Sequence, residues 1–328
     1  MRAVGTRPPS SSRRRAVTPP ARPPTPRPGA RARRLRPLVP YALLAPALLV
    51  LAAILGFPLY RLVSLSFQQY GLKELFAGRG TWIGLRNYQD ILTDGFFWTV
   101  VARTVLFAAV CVGLTMGLGT LVALLLRNLG RPMRVLVTAG LVAAWAMPTL
   151  TAVSIWQWLF DFEFGLVNWL LTRLGFGDLT QHDWTTTPAS AFTLVWLLVV
   201  WQSVPFAALT LHAGLSQIPR SYYEAAALDG ARPWRVHRTI TFPFLQPILG
   251  LVTILSVIWD FTVFNQIWIL TQGGPNDGTT TLGIWTFTRA FSRNDFGQGA
   301  AIAVVSVALL VAMTAVYVRR LVRSGEDL

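Results

Sequence analysis

Six stretches of this chain stay apolar for close to, or beyond, the ~20 residues a helix needs to cross a bilayer. They are Pro37 to Tyr60, Thr104 to Leu126, Val135 to Phe160, a segment at about 190–213 within Trp184 to Pro219, Ile248 to Leu270, and Phe296 to Val318. Helices that are apolar all round must be buried in protein or lipid, and a chain of 328 residues has too little left over to cover six of them. Composition agrees: 53% of residues are hydrophobic and 13% charged, against about a quarter charged in soluble domains. The expected fold class is an all-α integral membrane protein with six transmembrane helices.

Basic residues beside the spans set the orientation. With the N-terminus inside, the inner segments are 1–37, 127–134, 214–246 and 319–328. They hold 11, 3, 4 and 3 of the 29 Lys and Arg residues. Both termini are therefore expected in the cytoplasm, with the chain a multi-pass protein of the cytoplasmic membrane. Residues 1–37 contain eleven Arg, nine Pro and no acid, a composition that cannot bury a core. This stretch reads as a disordered, topogenic tail rather than a nucleic-acid or signal segment. The membrane-embedded body is expected at 38–320 and a short cytoplasmic tail at 321–328. The single cysteine, Cys111, lies within an apolar span and allows no internal disulfide. Gly113 and Gly117 form a GxxxG pattern in the second span, read as helix packing.

The longest polar interval in the second half is Ser221 to Pro247, SYYEAAALDGARPWRVHRTITFPFLQP. Ser221 and Glu224 have the spacing of a capping box, and Glu224 to Leu228 is rich in strong helix formers. Gly230 suits the left-handed position that ends a helix. A second short helix is expected from Pro233 to Thr239, since Pro is tolerated at a first helical position. Pro243 and Pro247 then lead into the fifth span. The product is a helix–turn–helix on the cytoplasmic face, with alanines where a partner can approach closely.

Asp260 sits near the middle of the fifth span, where an acid costs roughly 2.5–3.5 kcal/mol on insertion scales. It needs a partner or a water-filled face. Asn265 and Gln266 follow on the same side of the helix, flanked by Trp259 and Trp268. Acids, amides and aromatic planes together suit a sugar, whose hydroxyls take hydrogen bonds and whose ring stacks on an aromatic face. The alternative is an Asp paired with another helix for packing. Trp201 and Gln202, just before Pro205, have the same character in the fourth span. The substrate pathway is accordingly assigned to Trp201, Gln202, Asp260, Asn265 and Gln266.

No phosphate-binding loop of the GxxxxGK[ST] type occurs, and His182, His212 and His237 are scattered. The chain reads as a non-enzymatic transport subunit with no cofactor of its own. A membrane enzyme with its site at Asp260 is the competing reading, and it would need aligned acids or histidines near an interface.

The segment EAAALDGARPWRVHRTITFP resembles the EAA loop of binding-protein-dependent ABC importer permeases. Glu224, Ala225, Ala226, Gly230, Ile240, Phe242 and Pro243 carry the pattern, and Asp229 lies within it. Phe242 replaces the usual Leu, and His237 stands where carbohydrate importers usually have Phe. Gly84-Leu-Arg-Asn87-Tyr88, Gly214-Leu215 with Ile218-Pro219, and Gly273-Gly274-Pro275 extend the likeness to the maltose/trehalose/glycerol-phosphate type. The resemblance implies type I importer architecture and a pathway for a carbohydrate, a di- or oligosaccharide, with glycerol phosphate as the alternative. It implies a second homologous permease, a dimeric cytoplasmic ATPase that binds ATP and Mg2+, and an extracytoplasmic sugar-binding protein. It also implies that Glu224, Ala225, Ala226, Asp229, Gly230 and Pro243 couple the chain to that ATPase.

Overall fold

A computed structural model describes residues 39–323. The expected tail at 1–37 and most of the tail at 321–328 lie outside them. The chain divides into two units, at Phe57 and Pro58. In the first, helix Val39–Leu51 contains Pro46 and continues into a π-helical turn at Ala52–Gly56. Its Leu43, Leu49 and Ile54 are exposed, as expected of a helix whose solvent is hydrocarbon.

The second unit opens within helix Phe57–Ser66, and the first candidate span is Leu43–Ser66 rather than one ending at Tyr60. Arg61 did not end the helix, because a long basic side chain near a span's end reaches back to the interface. Four further spans are long helical stretches, Gly95–Asn128, Pro188–Ser216, Pro233–Thr271 and Phe296–Leu321, of which Pro233–Thr271 is interrupted at 262–264. The sixth helix runs on to Arg323, past the expected start of the tail at 321. Between the second and fourth lies a bent pair, Arg131–Trp145 and Thr149–Leu159, whose axes differ by 101°. The third span is thus two helices meeting at Ala146-Met147-Pro148. Pro148 forces the preceding residue away from helical geometry, and the chain uses that break to turn.

The core lies where the second, fourth and fifth spans meet. Gly119 of the second span packs against the fourth so closely that a Cβ there would lie 2.8 Å from that of Ala207. The expected packing glycines, Gly113 and Gly117, instead have nothing within 4 Å. They belong to a different helical face from buried Cys111, Thr115 and Gly119, and this face points away from the fourth span. One cluster joins Phe107, Cys111, Phe192, Val195, Val199, Ile267 and Ile284. A second, nearer the other end, joins Ala123, Leu211, Leu215, Ile218 and Leu245.

Contacts between loops respect the alternation of sides. At one end Arg103 donates to the carbonyls of Asp277 and Thr280, at 2.7 and 3.1 Å. At the other, the Arg127 guanidinium lies 4.0 Å from the ring centre of Tyr223. Segments assigned to the same side of the membrane therefore meet one another. The segment after the first span holds a two-residue antiparallel pair, Gln68–Gln69 with Thr81–Trp82, fastened by Asn87, which donates to the carbonyls of Ser66 and Gln68.

Candidate functional sites: a docking helix and a polar cavity

The polar interval at 221–247 folds around helix Arg220–Leu228. The helix begins directly after Pro219, whose backbone is extended. Ser221 is therefore the second helical residue, not the cap, and the expected capping box does not form. The C-terminal end is as expected. Gly230 has φ +66°, its N–H bonds the carbonyl of Ala227 at 3.1 Å, and that of Ala231 bonds the carbonyl of Ala226 at 2.9 Å. These two crossed bonds are a Schellman motif, which satisfies carbonyls left open at a helix end.

The second half of the interval departs from expectation. Pro233–Val236 is helical, but it runs through a π turn, His237–Thr241, straight into Phe242–Phe261. The Phe242 N–H closes that turn on the carbonyl of His237. Pro243 lacks a donor and would crowd an ordinary turn before it; the widened turn accommodates it. The fifth span and the docking segment are thus one continuous rod.

Tyr223 fixes this helix to the spans. The Tyr223 hydroxyl lies 3.1 Å from Oγ1 of Thr241, and its ring takes the Arg127 cation on its face. Tyr223 also packs on the cluster around Leu215 and Leu245. Arg134 holds the neighbouring turn, donating to the carbonyls of Leu126 and Leu129 at 2.9 and 2.8 Å. The opposite face is left open: Glu224, Ala225, Asp229, Gly230 and Pro243 are exposed and Ala226 is half-buried. Leu228 and Trp234 are 90% and 73% exposed, and Trp234 stacks on His237.

The polar residues of the fourth and fifth spans meet in a cavity of about 250 Å3. Gln202, Asp260, Asn265 and Gln266 all line it, and Gln266 donates to Gln202 at 3.3 Å. Thr149, Ser203, Thr262, Trp259 and Phe264 complete its polar and aromatic walls. Thr149 was missed by the sequence reading; it reaches the cavity because the third span bends just before it. Trp201 does not line the cavity. It points to the neighbouring face, against Trp156 and the cluster of Ala152, Val153 and Leu198, since consecutive helical residues face about 100° apart.

The fifth span is broken where this cavity forms. Helix ends at Phe261, residues 262–264 are non-helical, and Asn265–Thr271 resumes. Thr262 Oγ1 returns to the carbonyls of Ile258 and Trp259, satisfying part of the open end. Irregular backbone at membrane depth is tolerated where it lines a cavity, and polar sites in transporters are commonly built at such breaks. Asp260 is 2% exposed, and its Oδ2 has no hydrogen-bond partner. Among the described residues it makes no ion pair, so the packing alternative lacks its partner.

Together these features define a membrane-spanning helical body with a polar cavity among its spans and an exposed short helix at one end. Residues 115–324 match the family described as binding-protein-dependent transport system inner membrane component, and the chain belongs to that family. It is 43% identical over 302 residues to the diacetylchitobiose uptake system permease protein DasB of Streptomyces coelicolor, covering 91% of this chain and 92% of that one. It is 38% identical to the sulfoquinovosyl glycerol transport system permease protein SmoG of Agrobacterium fabrum, over 86% of this chain and 90% of the relative. It is 36% identical to the trehalose/maltose transport system permease protein MalF of Thermococcus litoralis, over 74% and 81%. Among solved structures, a bacterial ABC transporter that imports alginate shares the fold: TM-score 0.76, 16% identity, 90% of this chain and 99% of that chain covered. The chain is a multi-pass component of the inner membrane.

Proposed function

We propose that this chain is one permease subunit of an ATP-driven importer carrying a di- or oligosaccharide inward across the cytoplasmic membrane. The observation that carries the reading is the docking helix, exposed on one face and tied on the other to the second and fifth spans through Tyr223. A loop that merely connected two spans would need neither the Schellman end nor these anchors. Three relatives whose names specify carbohydrate or glycoside transport support the substrate class.

In this mechanism, Glu224, Ala225, Ala226, Asp229, Gly230 and Pro243 seat in a cleft of a cytoplasmic ATPase subunit within segment 214–246. The ATPase dimer binds ATP and Mg2+; this chain contributes no nucleotide site. Closure of the ATPase moves the docking helix, and Tyr223 passes the displacement to Arg127 and Thr241. Because Pro233 to Phe261 is a single rod, the same displacement reaches the cavity at its far end. A second, homologous permease completes the pathway, and an extracytoplasmic binding protein delivers the sugar. Orientation follows the basic residues, with both termini in the cytoplasm.

The test is uptake and ATP hydrolysis in the reconstituted transporter. Gly230→Asp should insert normally, yet lose at least about tenfold of sugar uptake, the scale of a ~1.4 kcal/mol defect. Full uptake would contradict the docking role.

A further inference from the structure

Three features of the cavity bear on which sugars it accepts. Asp260 is the most deeply buried polar group on its walls, and its Oδ2 is an orphan acceptor. The remaining polar side chains are amides and hydroxyls, from Gln202, Asn265, Gln266, Ser203, Thr149 and Thr262, besides the Trp259 indole, with no Lys, Arg or His among the described residues of the wall. At about 250 Å3 the space lies just below the ~300–1,000 Å3 of ligand pockets for drug-sized molecules, which suits one sugar ring at a time.

A buried acceptor without a partner is costly, and its need is met by a ligand that brings a donor. A hydroxyl or an amine on the ring does so. A carboxylate, sulfonate or phosphate does the reverse, bringing only acceptors and a charge into a wall that offers it no cation. We propose that Asp260 determines specificity in this chain by admitting neutral or amino sugars and rejecting acidic ones. The proposal rests on the carbohydrate reading above and narrows it. It also separates this chain from two of its likenesses, whose names or descriptions specify a sulfonated and an acidic sugar.

The experiment is direct binding to the transporter purified with its associated subunits in nanodiscs, without ATP and without the binding protein, whose own selectivity would mask that of the cavity. The probes are diacetylchitobiose (neutral), deacetylated chitobiose (amino) and the hyaluronan disaccharide (uronic). The native complex should hold the first two at least about tenfold more tightly than the third, a discrimination of the size one unmatched polar contact gives. Asp260→Asn should reduce that ratio to about threefold or less, while Asp260→Glu retains it. Equal binding of the uronic probe to the native complex, or an undiminished ratio in Asp260→Asn, overturns the proposal while leaving the carbohydrate reading intact. Failure of the native complex to bind any of the three overturns both. The native measurement decides even if the Asn variant does not assemble.

Discussion

The exposed helix Arg220–Leu228 and the polar cavity are opposite kinds of site, lying before and beyond the rod Pro233 to Phe261. The first is local: Arg220–Leu228 and Gly230 are contiguous in the chain, and their shape follows from alanine, glycine and proline chemistry alone. The second is assembled from three spans, and its walls bring Thr149, Gln202 and Asp260 together from positions far apart in sequence. The difference teaches where each property resides. A surface that must fit another protein is written into a short stretch, whereas a surface that must fit a small ligand depends on how the helices bend and pack.

The comparison breaks most readily at Gly119. Leucine there would drive a side chain into Ala207, where a single Cβ already falls at 2.8 Å, with no small-residue gap to absorb it. Gly119→Leu should separate the second span from the fourth and abolish both docking and cavity, with an overpacking penalty of about 1–3 kcal/mol or more. Loss of detergent-extracted complex on size exclusion would register it. Gly113→Leu is the matched control: nothing lies within 4 Å of that position in the chain, so the chain's own fold should survive.

The anchor comes next. Tyr223→Ala removes the ring under Arg127 and the hydroxyl beside Thr241, and sugar-stimulated ATP hydrolysis should fall about tenfold. Tyr223→Phe keeps the ring and should lose only a few-fold, the scale of one hydrogen bond of about 1 kcal/mol. An equal effect of the two would assign the coupling to the hydroxyl alone.

The smallest effect is expected at Trp201. Although it neighbours Gln202 in sequence, it packs on Trp156. Trp201→Phe should leave sugar preference unchanged and lower thermal stability by about a degree or two, as a conservative core substitution does.

These positions also show how much could be read from the sequence. The spans and the glycine-ended helix Arg220–Leu228 are legible in the sequence, since length, periodicity and left-handed glycine positions act locally. Helix bends were harder to foresee. Pro148 signalled a break but not a turn of 101°, and that turn is what delivers Thr149. The interruption after Phe261 has no proline or glycine to mark it. Asn265 and Gln266 were placed on Asp260's side by counting along a continuous helix, and they reach the cavity through a break instead. Trp201 was grouped with Gln202 by adjacency, where the 100° step between helical neighbours separates them. The capping box was misplaced because Pro219 had already started the helix.

The separation of drive, at helix Arg220–Leu228, from selectivity, at the cavity where the rod Pro233 to Phe261 ends, is the central claim. It is tested most directly by measuring, in one reconstituted transporter, sugar moved per ATP hydrolysed together with the preference between neutral and uronic disaccharides. Glu224→Ala should lower the first ratio at least about threefold and leave the preference as in the native protein, while Asp260→Asn should shift the preference. A docking-helix variant that alters which sugar is preferred would contradict that separation.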